Sequence, residues 1–182
     1  KGGRHDETSR ATASHTGSMA GQSKVYDAAF KQAGIIQADD ILDLFSIAKM
    51  LEREPMPKGD RVQIITNGGG FGIVTADQIL TKGLKLAQIT HQTAQRLRGQ
   101  MPTATISNPM DLIGDADVER YLKAIKASHN DPNVDIIIVL VLFSLPSLEV
   151  GKLMGLAKPS GKITKPIMVV AIGSDFTQNY LE

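Results

Sequence analysis

The stretch that decides the fold is Val62–Leu80, VQIITNGGGFGIVTADQIL. It begins with an apolar run rich in β-branched residues, Val62–Ile65, and passes through Thr66-Asn67-Gly68-Gly69-Gly70 into an apolar segment of helical length, Phe71–Leu80. Runs of β-branched residues favour strands, and glycine clusters mark the turns between elements. The sequence therefore predicts a strand, a tight glycine turn and a helix in direct succession.

The same alternation continues to the end of the chain. It predicts further strands at Lys85–Ile89, Asp135–Phe143 and Ile167–Ile172 and helices around Ala94–Leu97 and Val118–Ile125, with a less regular segment over 146–160. Continuous Ile/Val runs between amphipathic helices are typical of a parallel sheet covered on both faces. The predicted fold class is α/β. The last eight residues resemble the start of a helix, so we expect this domain to be truncated.

The N-terminal part has a different character. A loop-like stretch over 1–24 precedes a predicted helix at 23–33 that starts at Ser23 and ends before Gly34. Asp39 or Asp40 is expected to cap a second helix, whose apolar stripe is Ile41, Leu44, Phe45, Ala48 and Leu51. Charges and two prolines then interrupt the pattern. We therefore predict a partial α/β domain over 1–52, a linker over 53–60 and a second domain over 61–182.

Composition excludes several classes of function. The 182 residues carry 20 Lys+Arg against 19 Asp+Glu, and only 4% are aromatic, so neither phosphate-backbone tracking nor base stacking is supported. The absence of cysteine excludes disulfides, zinc–thiolate sites and a cysteine nucleophile. The longest apolar run, Val134–Leu145, is interrupted by polar residues and too short for a bilayer span. We expect a soluble, cytoplasmic protein that binds neither nucleic acid nor membrane.

His15 is the strongest candidate for chemistry. It lies in Ala13-Ser14-His15-Thr16-Gly17, where two hydroxyls and small neighbours surround an imidazole. Imidazole is nucleophilic near neutral pH and can carry a phosphoryl group. The alternative is an exposed loop histidine near the start of a helix. We interpret the remaining histidines, His5, His91 and His129, as surface residues.

The glycine turn is the matching candidate for binding an anion. Asn67-Gly68-Gly69-Gly70 leaves room for an anion to approach the free N–H groups of a helix N-terminus. It matches neither a Walker A loop nor the dinucleotide fingerprint. Tight packing between strand and helix would explain the glycines equally well.

A third polar cluster, Asn108-Pro109-Met110-Asp111-Leu112, favours an Asx turn that leads to a helix capped by Asp115 or Asp117. A direct catalytic role for this cluster is the less favoured alternative. Asp111, Asp115 and Asp117 could be imagined around a metal, but their spacing does not require one, and we predict no metal site.

Five motifs, in this order, resemble those of the NDP-forming acyl-CoA synthetases, which include the ADP-forming acetyl-CoA synthetases and are relatives of succinyl-CoA synthetase. They are Lys1-x-Gly3-Arg4, Ala13–Gly21, Tyr26–Gly34, Thr66–Gly70 and Asn108-Pro109-x-Asp111-Leu112. The resemblance covers nearly the whole chain. It implies that 1–52 is the C-terminal part of a flavodoxin-like domain with a phosphohistidine loop, and that 61–182 is a flavodoxin-like ligase-CoA domain.

The resemblance also implies an activity, the interconversion of acyl-CoA, ADP and phosphate with acid, CoA and ATP. His15 would be the phosphorylated nucleophile. The phosphate contacts would be Ser14, Thr16, Gly17, Asn67, Gly68, Gly69 and Gly70. CoA, ATP/ADP and Mg²⁺ would be bound mainly by CoA-binding and ATP-grasp domains or subunits that this chain lacks, in an oligomer, so the chain alone would be inactive.

Two alternatives remain open at this point. Some members of the family are regulatory acyl-CoA-sensing modules of protein lysine acetyltransferases, and the presence of His15 argues against that role without excluding it. The second alternative is a flavodoxin-like interaction domain without chemistry.

Overall fold

The computed structural model describes residues 23–142 and 163–172 and divides the chain into two compact units, 1–52 and 53–182. In the first unit, helix α1 spans Ser23–Gln32 and helix α2 spans Ile41–Arg53, reaching one residue past the division. Gly34 follows α1 with φ +68°, the left-handed conformation that glycine adopts readily after a helix. Both predicted helices are therefore confirmed.

Asp40, rather than Asp39, caps α2 with its side chain. Its Oδ1 accepts a hydrogen bond from Asp43 N (2.8 Å), while Asp43 Oδ2 accepts one from the N–H of Asp39, the residue before the cap (3.0 Å). The apolar stripe of α2 is not buried in the described structure, since Ile41 and Phe45 are 62% and 66% exposed.

Within its described residues, the second unit contains a five-stranded sheet in which every strand pair is parallel. Three strands are long: β1 (Arg61–Thr66), β4 (Ile136–Leu142) and β5 (Ile167–Ile172). Two are only two residues long: β2 (Lys85–Leu86) and β3 (Met110–Asp111). The order is β2-β1-β4-β5, and β3 pairs with β1 beyond the end of β2. The predicted parallel α/β architecture is confirmed.

Helices cover both faces of this sheet. Helix α3 (Gly69–Thr81) packs on one face, where the core includes Ala76 and Ile79 from the helix and Val62, Ile64, Ile136 and Leu140 from the strands. Helices α4 (His91–Gln100) and α5 (Val118–Asn130) contribute to the core of the other face, together with Ile65, Ile137 and Val139. Alternate strand residues thus enter opposite cores, as the pleat requires.

Several boundaries differ from the prediction, and three of these differences lie near the glycine turn or along the edge of β1. Strand β2 ends at Leu86 instead of Ile89, β3 was not predicted, and α3 begins at Gly69 instead of Phe71. The physical reason for the early end of β2 is that a side chain, Asn108, takes over the edge of β1 beyond that point. The predictions for Phe143, for 146–160 and for 175–182 lie outside the described residues.

A charged pair joins the N-terminal ends of β1 and β4. Arg61 donates to Asp135 from Nε (2.7 Å to Oδ2), from Nη2 (2.9 Å to Oδ1) and from its backbone N–H (3.1 Å to Oδ2). These bonds from Arg61 hold the pKa of Asp135 below its usual value, against the opposing effect of burial. The end of the sheet opposite to the glycine turn is fixed in this way.

No helix within 23–142 or 163–172 is long and apolar enough to cross a membrane.

Candidate functional site

The glycine turn lies where β1 ends and α3 begins. Gly68 is the N-cap of α3 and offers no side-chain cap, and its own N–H is bonded to Thr66 Oγ1 (3.0 Å). Its carbonyl accepts from the third and fourth amides that follow (3.1 and 3.2 Å). The N–H groups of Gly69 and Gly70 have no acceptor among the described residues. Two backbone donors therefore remain at the positive end of a helix, an arrangement suited to an anion.

Asn67 uses its side chain to tie two strand ends together. Its Oδ1 accepts from Leu142 N (2.9 Å), and its Nδ2 donates to Leu142 O (3.3 Å). The residue is only 4% exposed. Among the residues expected to contact phosphate, Asn67 thus has its side-chain amide bonded to β4 and Gly68 has its N–H bonded to Thr66, so the free backbone groups are those of Gly69 and Gly70.

Tyr121 hydrogen-bonds to β4, the strand to which Asn67 is also bonded. It is fully buried, and its hydroxyl donates to Leu140 O (2.9 Å). Burial raises the pKa of this phenol far above its usual value, and the charge of Asp111 acts in the same direction, while a backbone hydrogen bond from Asn67 opposes both. The sequence predicts only a helix around Val118–Ile125 and gives Tyr121 no polar role. Its polar role was missed because helical periodicity carries no information on a hydroxyl partner.

The first turn of α3 packs closely against residues 109–111. A Cβ added to Gly69 would lie 2.7 Å from Asp111 Oδ2, and one added to Gly72 would lie 2.9 Å from Pro109 Cβ. Gly70 has open space around it. A side chain at Gly72 would therefore meet the Pro109 ring, one at Gly69 would have to displace the Asp111 carboxylate, and one at Gly70 would meet nothing.

Asp111 directs one carboxylate oxygen toward this turn. Its Oδ1 accepts from Ile113 N (2.9 Å), an Asx-type bond of the kind predicted for this cluster. Its Oδ2 has no hydrogen-bond partner in the part of the chain that the structure describes, and faces Gly69. A carboxylate with one uncommitted oxygen thus lies beside the two free amides.

Asn108 completes the edge of β1. Its Oδ1 accepts from Ile64 N (3.1 Å), while its Nδ2 donates to Val62 O (2.7 Å) and to Ala87 O (3.0 Å). The side-chain amide thereby takes the place of a peptide group between β2 and β3. This role was not anticipated, since a single asparagine in a turn-rich segment gives no signal of it.

The three aspartates considered for a metal do not form such a site. Asp115 pairs with Arg120 (2.6 Å), whose hydrogen bond holds the pKa of that carboxyl below its usual value. Asp117 is the cap of α5, accepting from Arg120 N (2.9 Å), and Asp111 is bonded to Ile113. Within the described ranges no group of three His, Cys, Asp or Glu residues could hold a metal ion.

Two of the four histidines, His91 and His129, lie among the described residues. His15, with Ser14, Thr16 and Gly17, lies outside the described residues, as does His5. His91 is exposed in the first turn of α4. His129 Nε2 accepts from Thr164 N (3.1 Å), which indicates a structural role.

Comparison with known proteins identifies two families of domain. Residues 1–51 match the succinyl-CoA ligase like flavodoxin domain, and residues 62–175 match the Ligase-CoA domain.

Similar proteins include the alpha subunit of the ADP-forming acetate–CoA ligase II of Pyrococcus furiosus, 47% identical over 77% of this chain and 31% of that protein. The ADP-forming acetate–CoA ligase of Methanocaldococcus jannaschii is 42% identical over 65% of this chain and 17% of its own length. A solved structure, the dinucleotide-forming acetyl-coenzyme A synthetase 1 of Ca. Korarchaeum cryptofilum in complex with phosphate and ADP, superimposes with a TM-score of 0.84. It is 32% identical, and the match covers 98% of this chain and 39% of that one.

The chain thus spans between about a sixth and two fifths of the length of these relatives. Both domain matches and the relatives agree with the order of motifs in the sequence and with the parallel sheet. The chain belongs to the ADP-forming acyl-CoA synthetase family, with a flavodoxin-like segment of the succinyl-CoA ligase type followed by a Ligase-CoA domain.

Proposed function

We propose that this chain is part of an acid–thiol ligase that interconverts acyl-CoA, ADP and phosphate with acid, CoA and ATP. In this proposal the chain supplies the phosphorylated histidine, His15, and an anion-binding helix N-terminus at Gly69 and Gly70. Relatives described as ADP-forming acetate–CoA ligases support this activity over a regulatory module of an acetyltransferase.

The observation that carries the proposal is the pair of free amides at the start of α3. Gly68 N–H is already bonded, and the next two N–H groups have no acceptor among the described residues. An uncapped helix N-terminus with two unpaired donors favours a phosphate, and the similar synthetase of Ca. Korarchaeum cryptofilum was solved in complex with phosphate and ADP.

The residues around the amides would keep them in place during turnover. The side chain of Asn67 bonds the turn to the backbone of Leu142, and the hydroxyl of Tyr121 donates to Leu140 O in the same strand. Because these side chains are buried and bonded, the turn would not need to reorganise when charge moves at the phosphoryl group.

His15 would act as the phosphoryl carrier. Phosphate adds to the acyl carbon of the thioester and CoA leaves, which yields an acyl phosphate. His15 then attacks its phosphorus and the carboxylic acid departs. ADP receives the phosphoryl group from His15 to give ATP, so each bond formed is matched by one broken. The hydroxyls of Ser14 and Thr16 and the small Gly17 would help to hold the phosphoryl group.

The remaining groups of the reaction would be bound elsewhere in the complete enzyme. The described residues form no cluster of ligands for Mg²⁺, and of the three aspartates considered for a metal, Asp111 is bonded to Ile113 N and Asp115 to Arg120. We therefore propose that CoA, nucleotide and Mg²⁺ are bound by CoA-binding and ATP-grasp domains or subunits that work with this chain in an oligomer.

The test is phosphorylation of the complete enzyme with labelled ATP and Mg²⁺, followed by digestion under alkaline conditions, which preserve phosphohistidine. We expect an acid-labile phosphate on the peptide that contains His15, its loss in His15→Ala, and its retention in the matched control His91→Ala. Normal turnover by the His15→Ala enzyme would refute the proposal.

A further inference from the structure

Two fully buried side chains each carry a polar atom without a hydrogen-bond partner among the described residues. The atoms are Oε1 of Gln63 in β1 and Oγ of Ser128 in α5. A buried polar group without a hydrogen bond costs free energy, so nearly all such groups in folded proteins bond to protein or to water. Both atoms therefore need a partner that the described side chains and backbone do not supply.

The orientation of the Gln63 amide is fixed by its other end. Nε2 donates to Ile64 O (2.9 Å) and to Ser107 O (3.1 Å). Turning the amide over would set its oxygen against these two carbonyls, which can only accept hydrogen bonds. The atom without a partner is therefore the oxygen, and it needs a donor.

The pleat of β1 directs Gln63 toward α5. Val62 and Ile64 enter the core on the α3 side of the sheet, so Gln63, which lies between them, points to the opposite face. Helix α5 contacts both β1 and β4 and contributes to the core of that face. It leads through a short turn into β4, so the helix runs antiparallel to the strands.

The register of α5 on the sheet brings Ser128 to the level of Gln63. The hydroxyl of Tyr121 donates to Leu140 O, which fixes the helix against β4 at that point. Ser128 follows Tyr121 by seven residues, about two turns, and so lies on the same face of α5. These residues rise by about 10.5 Å, the length of about three strand residues. Three residues before Leu140 is Ile137, whose register partner in β1 is Gln63.

The surroundings of Ser128 suit a small polar ligand. The buried face of α5 beside it includes the small residues Ala124 and Ala127. A buried water needs two to four polar partners, and this pair provides an acceptor and a hydroxyl that can both donate and accept. A water molecule between them can donate one proton to Oε1 and bond to Oγ in either direction.

We infer that one internal water molecule binds between Gln63 Oε1 and Ser128 Oγ and joins β1 to α5. Helix α5 is then bonded to the sheet at two levels, directly through Tyr121 and through water at Ser128. The water satisfies both buried atoms at once, which a hydrogen bond from Ser128 to its own helix would not do.

The experiment is a crystal structure of the complete enzyme at a resolution that shows ordered water. We expect a density peak about 2.7–3.2 Å from both Oε1 and Oγ. Gln63→Met, which replaces the amide by an unbranched apolar side chain, should lose the peak. Gln78→Met makes the same change at an exposed position on α3 and should keep it.

Ser128→Ala tests the second partner and involves only the loss of one hydroxyl. We expect the peak to be lost or to move away from α5 in this variant. A wild-type structure without the peak, or with Ser128 Oγ bonded directly to Gln63 Oε1, would overturn the inference. A peak that stays in place in Ser128→Ala would overturn the bridge as well, and this comparison decides the matter even if Gln63→Met does not fold.

Discussion

Two adjacent glycines at the start of α3 should respond in opposite directions to the same substitution. Gly69 lies against Asp111, so the methyl group of Gly69→Ala would stand 2.7 Å from Oδ2. Gly70→Ala would place its methyl group in open space. Neither glycine has a positive φ, so alanine fits the backbone at both positions.

The expected change in the free energy of unfolding combines the cost of overpacking with the helix preference of alanine. Ordinary contact begins at 3.4 Å, so the carboxylate must retreat by about 0.7 Å against its bond to Ile113, and overpacking of this kind costs about 1–3 kcal/mol. Alanine in place of glycine in a helix gains about 0.5–1 kcal/mol. We expect Gly69→Ala to lower the free energy of unfolding by about 1 kcal/mol and Gly70→Ala to raise it by about 0.5 kcal/mol.

The assay is urea unfolding of the two variants and the wild type, followed by circular dichroism. Both variants gain a similar helix preference from alanine. The difference between their free energies of unfolding therefore measures the contact with Asp111. Adding Asp111→Ala should remove most of that difference, as a double-mutant cycle would show. If Gly69→Ala proves as stable as Gly70→Ala, the close approach between α3 and Asp111 is wrong.

The remaining predictions concern Asp135 and Asn108. The pKa of Asp135 is lowered by Arg61, so its contribution to stability is complete above the unfolded value of about 4 and is lost as the pH falls through the lower folded value. Urea midpoints measured as a function of pH should therefore fall less steeply below about pH 4 in Asp135→Asn than in the wild type, and equal slopes would contradict this. Asn108→Ala leaves two backbone groups of the sheet edge, Ile64 N–H and Ala87 O, without partners, while Val62 O keeps the bond from Ala87 N. We therefore expect a loss of about 2–4 kcal/mol in urea unfolding, whereas a loss under about 1 kcal/mol would show that water replaces the amide.

Elements with their own periodicity could be predicted from the sequence. The long strands β1, β4 and β5 and helices α1, α2 and α5 follow apolar patterns of sufficient length, and Asp40 and Asp117 are caps of a recognisable type. The glycine turn was located because strand, glycines and helix follow one another directly. These are features that neighbouring residues determine among themselves.

Features that depend on distant partners could not be predicted. Strand β3 is two residues long and exists because β1 offers it an edge. The side chain of Asn67 bonds to a residue 75 positions away. The side chain of Asn108 bonds to residues 44 and 46 positions away and to one that is 21 positions away. The sequence holds no hint of which backbone group a buried amide will meet, so the framework of the site emerges only from the three-dimensional structure.

The side chain of Asn108 has a consequence for association between molecules. A strand exposed at the margin of a sheet invites pairing with a second chain, which is a common route to aggregation. Along β1, however, two short strands and one amide occupy the whole margin in turn, so an intruding strand would have to displace all three. Several short pieces can thus protect the edge of a sheet as a continuous strand does.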